Sequence, residues 1–122
     1  MSNLVVSNIS DGTTSVGTGY VVNGAAKAWV NFNQTGTDTI NNSFNISSLA
    51  DYGAGLTYIN LSSAMAYTAF SLSHSAIVNS NYADAEVTNS PVNASQIYFV
   101  SVEASSTYDK TYASCIAHGD LA

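Results

Sequence analysis

The chain has 122 residues, with eight acids against two lysines and 8% charged beside 46% hydrophobic residues. A net charge of -6 leaves no basic patch to neutralise phosphates, so nucleic acid is not an expected partner. The longest apolar runs, such as residues 97–100, are too short to span a bilayer, and the acidity disfavours adhesion to an anionic membrane.

A chain of this length forms one domain and buries roughly two thirds of its unfolded surface. Abundant Tyr, Val, Ile, Leu and Phe among Ser, Thr, Asn and Gly argue for an ordered β-rich chain rather than a disordered one. Cys115 is the sole cysteine, which rules out an internal disulfide and leaves a small buried side chain as its expected role. The start Met1-Ser-Asn lacks the basic lead of a secretory signal, so cytoplasmic synthesis is expected. Asn-x-Ser/Thr sequons at Asn8, Asn33, Asn45, Asn60 and Asn93 follow from the composition and carry no weight.

In chain order, residues 4–9 read as a strand, followed by Ser, Thr and Gly up to Tyr20. This opening stretch, residues 1–20, is either an extended docking arm or the first strand of the domain, and residues 21–122 form the domain itself. Ala26, Ala28, Val30 and Phe32 then alternate with Lys27, Trp29 and Asn31, so one face is core. Phe44 and Ile46 repeat the alternation, and residues 56–61 are a further strand. Residues 62–65 form at most a helical turn.

Phe70, Leu72, His74 and Ala76 line one face of the next strand, with Ser71, Ser73 and Ser75 on the other. Residues 96–103 place Tyr98, Val100 and Val102 on one side, and residues 111–118 alternate Tyr112, Ser114 and Ile116 against Ala113, Cys115 and Ala117. Turn signals stand at 11–12, 35–36, 51–55, 79–81 and 89–91. Short strands at such spacing predict an all-β fold, an antiparallel β-sandwich of jelly-roll or Ig-like type with almost no helix.

Catalytic and metal chemistry find little footing. There is no Gly-x-Ser-x-Gly elbow. His74 reads as a partly buried core histidine and His118 as a terminal surface residue. Cys115 and His118, three apart on a strand, point to opposite faces and cannot share a zinc ion. Asp84 and Glu86 project from one side of an extended segment, with Asn79 and Asn81 nearby, an oxygen-rich set suited to calcium. The spacing is not that of a calcium loop, and a solvated polar loop is expected. No catalytic residue, metal or cofactor is assigned.

Binding has better support. Two lysines and one proline cannot guard every sheet edge, and eight tyrosines on a low-charge surface suit burial between subunits. An oligomer is therefore expected, with Leu4, Val6, Trp29 and Tyr98 as candidate interface residues. Tyr52, Tyr82 and Tyr108 fall in predicted loops and are the candidate contacts to a protein or a sugar, because a tyrosine ring offers an apolar face with a polar tip.

The run 25–33, the Thr35-Gly36-Thr37 turn and segments 43–48, 56–60 and 63–65 together resemble a module of tail-fibre-like structural proteins of bacteriophages, notably aquatic ones. The likeness covers residues 24–67, and residues 4–12 resemble the short lead of such proteins. It implies a non-enzymatic virion component, a tail fibre or knob, trimeric by analogy with fibres, whose partners are other virion proteins and a host-surface carbohydrate or protein. The chain carries no shaft, since neither heptads nor repeats occur in it. A terminal knob, a baseplate adaptor and a capsid decoration protein, which would partner the major capsid protein, all accord with that departure.

Overall fold

The computed structural model describes residues 1–77, 86–103 and 106–122. Strands β1 (Asn8–Ser10) and β2 (Ser15–Gly17) pair antiparallel through the Asp11-Gly12 turn, and helix α1 (Thr18–Gly24) follows directly. The sandwich then begins with β3 (Ala28–Asn33) and continues through β4 (Thr39–Phe44), β5 (Ile46–Gly53), β6 (Leu56–Leu61) and β7 (Ser71–Ile77). Strands β8 (Glu86–Asn93), β9 (Gln96–Glu103), β10 (Ser106–Thr107) and β11 (Tyr112–His118) complete it.

Two antiparallel sheets form the body. One runs β4-β3-β11-β7, and the other runs β5-β6-β9, with β8 along the far edge of β9 and β10 extending the β6 edge. The inward faces follow from alternation with period two. Ala28, Val30 and Phe32 of β3 and Ala113, Cys115 and Ala117 of β11 meet Ile59 and Leu61 of β6 and Ile97 and Phe99 of β9. Phe32 and Phe99 pack edge to face across this core. Burial of each such large side chain contributes roughly 1.5–3 kcal/mol relative to exposure.

The crossing from the first sheet to the second is made at Asn45, whose φ of 57° lies in the left-handed region that asparagine tolerates better than most residues. Its side chain holds the corner by donating to the Lys27 and Ser63 carbonyls at 3.0 and 3.1 Å and accepting from the Ser63 N–H at 2.7 Å. Phe44 and Ile46 therefore lie on different strands of different sheets, not on one continuous strand, and Phe44 is exposed.

Other expectations are corrected. Residues 4–6 lie outside any strand, and among the described residues β1 and β2 form a two-stranded sheet apart from the two larger ones. The expected end of the opening segment at Tyr20 falls inside α1. Residues 62–65 form no helix; Met65 instead bridges to Leu121 and is buried. The expected turn at 89–91 belongs to β8, an edge strand with a bulge beside Pro91, where a residue lacking an N–H is tolerated. His74 is exposed rather than partly buried, since β7 is an edge strand, while Leu72 and Ala76 pack on the core. His118, expected at the surface, is half-buried.

Candidate functional site

The N-terminal unit is built from local bonds. Asp11 Oδ1 accepts from the Thr13 and Thr14 N–H groups at 2.9 and 2.7 Å, which closes the hairpin turn and holds the carboxyl below its usual range. The Thr18 N–H and hydroxyl both donate to the Ser7 carbonyl, at 2.9 and 3.1 Å, and tie α1 back onto the hairpin. Lys27 Nζ donates to the Val22 and Ala25 carbonyls at the end of the helix. A cation there also suits the negative end of the helix.

That unit buries nothing of its own: no residue of α1 is buried, and seven residues are too few for a helix to be stable on propensity alone. Leu4 and Val5 are 84% and 91% exposed, and with Val6, Ile9, Thr18, Val21 and Val22 they surround a depression of about 350 Å³. A series of branched apolar side chains left in water lowers stability, so it marks a surface that gains by being covered.

A second surface lies on the outward side of the β5-β6-β9 sheet. Register places Tyr58 opposite Tyr98, and their rings pack at a tilt of 32° with centroids 4.9 Å apart, while Tyr52 meets Tyr58 edge to face at 5.3 Å. One register step along, Gln96 Nε2 donates to Asn60 Oδ1 at 2.8 Å and Asn60 Nδ2 donates to Ser48 Oγ at 3.0 Å. An aromatic row thus runs beside an amide and hydroxyl row. Each crosses three strands.

The end of the sandwich near β10 holds a buried polar knot. Gln34 Nε2 donates to Thr57 Oγ1 and Gln34 Oε1 accepts from Ser101 Oγ, both at 2.9 Å, and Ser101 Oγ also lies 2.6 Å from the Tyr108 carbonyl. Lys110 is fully buried, and its backbone exchanges hydrogen bonds with Gln34. Asp38 borders this knot, and burial pushes its carboxyl up to about 6, aided by the negative charges of Asp51 and Asp109 and opposed by a hydrogen bond with Thr57. These bonds join β6, β9 and the segments flanking β3 and β11, which makes the knot a structural tie.

The expected site residues separate into different regions. Tyr52 lies near the end of strand β5 rather than in a loop, and Tyr108 lies in the segment after β10; both are exposed. Tyr82 and Asp84 lie outside the described residues, as do Asn79 and Asn81, and Glu86 opens β8. Leu4 and Val6 belong to the N-terminal unit. Trp29 is half-buried on the outer face of the other sheet between Phe44 and Ile116, and Tyr98 stands in the aromatic row. Neither lysine guards an edge strand, for each immediately or closely precedes a central one.

The amide row was missed by sequence reasoning, although Asn60 and Gln96 sit on the same face as Tyr58 and Tyr98 by simple alternation. Burial pushes the Cys115 thiol up to about 12. Among the described residues no group of three or more His, Cys, Asp or Glu side chains is placed to hold a metal ion. No protein-family model, curated protein or solved structure matches the chain.

Proposed function

We propose that this chain is a non-enzymatic structural protein of a bacteriophage virion, a tail-fibre or knob module that docks to the particle through its N-terminal unit and presents the sandwich outward. The observation that carries this reading is the apolar surface of residues 4–22, which lies outside both sheets and is tied by local hydrogen bonds among the described residues. A covering partner supplies the burial that the unit lacks. The resemblance of residues 24–67 to fibre modules supports the placement on a tail, and by the same analogy the assembled form is a homotrimer. The same unit also suits a capsid decoration protein bound to the head shell.

Immunogold labelling of intact virions separates the two placements: label confined to the tail supports the fibre reading, and label over the head in many copies replaces it with decoration. The full chain carrying Leu4→Asp and Val22→Asp is expected to keep its circular dichroism and thermal melt yet fail to join particles. Normal incorporation of that variant would remove the basis for docking through this unit.

A further inference from the structure

We infer that the outward face of the β5-β6-β9 sheet is a binding site for neutral carbohydrate, formed by Tyr52, Tyr58 and Tyr98 together with Ser48, Asn60 and Gln96. This deepens the attachment reading above and rests on it for its biological setting, while its chemistry stands on the face itself.

A sugar ring offers an apolar C–H face and a rim of hydroxyls, each of which both donates and accepts. The tyrosine row supplies the matching half for the apolar face. Tyr58 and Tyr98 are partly exposed and Tyr52 is 67% exposed, so the row is open to solvent. Ring contacts at 4.9 Å, tilted, and 5.3 Å, edge to face, restrain the rings before any ligand arrives, which reduces the ordering cost of binding.

The polar row supplies the other half. In the relay from Gln96 to Asn60 to Ser48, each amide nitrogen uses one of its two N–H groups and Asn60 Oδ1 uses one of its two acceptor positions. What is left over is a spare N–H on each amide, the Gln96 carbonyl oxygen and the Ser48 hydroxyl proton. Such a mixture of donors and acceptors in a fixed line fits adjacent hydroxyls, each of which needs one of both.

Charge selects the class of sugar. The chain carries eight acids and two lysines, yet the outward positions around the two rows, Ala50, Leu56, Ser90, Val100 and Val102, carry no charge, and among the described residues the one charged residue in register with them is an acid, Glu86, opposite Val102. A site without a cation on an acidic protein repels sialylated and other anionic glycans at long range and accepts neutral ones.

The test is a titration of the isolated full-length protein, labelled with ¹⁵N, with lactose, maltotriose and chitotriose, and with sialyllactose as the acidic comparison. Saturable shifts centred on Ser48, Tyr58, Asn60, Gln96 and Tyr98 with at least one neutral sugar, and a weaker response to sialyllactose, are expected. Tyr98→Ala and Gln96→Ala should each weaken binding about tenfold, and Phe44→Ser on the opposite sheet should not. Shifts that map elsewhere, a preference for sialyllactose, or a spectrum unmoved by every sugar would overturn the assignment. Because the wild-type titration needs no variant to fold and no particle, its failure leaves docking through residues 4–22 untouched, and failure of particle docking leaves the titration intact.

Discussion

The rings of Phe32 and Phe99 meet edge to face with their centroids 5.0 Å apart and an interplanar angle of 76°, and this contact joins the centre of one sheet to the centre of the other. Both side chains are fully buried. Each sits on a strand with a neighbour on either side, so neither can shift to fill a void left by the other.

Replacing either ring therefore leaves a cavity that the sheets cannot close. Phe99→Ala should lower the unfolding free energy by about 3–5 kcal/mol. Chemical denaturation followed by Trp29 fluorescence measures this, and a loss below about 1 kcal/mol would mean that the two sheets do not share this core.

Gly55 accepts no side chain. Its φ is +70°, and a Cβ there would stand 2.6 Å from the Ser101 carbonyl oxygen and 2.6 Å from the Tyr108 nitrogen. The Gly55 N–H also donates to Asp109 Oδ1 at 2.7 Å. Gly55→Ala should cost roughly 2–5 kcal/mol from strain and overlap together, seen as a lower melting temperature. Gly36→Ala, which has a positive φ but open space around it, should cost less.

Gln34 is the hub of the buried knot. Gln34→Leu keeps the volume but removes the acceptor used by Ser101 Oγ and the Lys110 N–H and the donor used by Thr57, and should cost roughly 1–3 kcal/mol. Hydrogen exchange at the Lys110 and Ser101 amides should speed up in the variant. Unchanged exchange would show that the knot does not hold this end of the sandwich closed.

Asp38 makes stability depend on pH in the direction opposite to most paired carboxylates. Its folded pKa, about 6, lies above the ordinary carboxylate value of 3.8, so the folded state holds the proton more tightly than the unfolded one. The resulting stabilisation is present below about pH 4 and is lost as the pH rises through about 6. With solvent screening the loss is about 1 kcal/mol. Asp38→Asn should flatten this part of the profile and raise the melting temperature at pH 7 while leaving that at pH 4 nearly unchanged.

Much of the sandwich was legible along the chain because alternation is a local signal. The inward set of β3, the bounds of β6 and β9 and the face of β11 that buries Cys115 all follow from a period of two. Alternation placed Tyr98 on one face with Val100 and Val102, but its contact with Tyr58 depends on a register between strands some forty residues apart in sequence. The helix at Thr18–Gly24 left no signal, since Gly19, Val21, Val22 and Asn23 are weak helix formers and no apolar stripe turns inward.

The sequence by itself determined that this is a β-rich, weakly charged, acidic chain, that one face of β3 is core and that Cys115 is buried, because hydrophobicity and backbone periodicity are properties of neighbouring residues. The tertiary structure decided that β11 lies between β3 and β7, that Lys110 is buried at the end of the sandwich, that Asn45 turns the chain from one sheet to the other, and that Ser48, Asn60 and Gln96 form one line. Each of these depends on groups brought together from distant parts of the chain, where the cost of closing the loop is repaid only by contacts that the folded state alone makes.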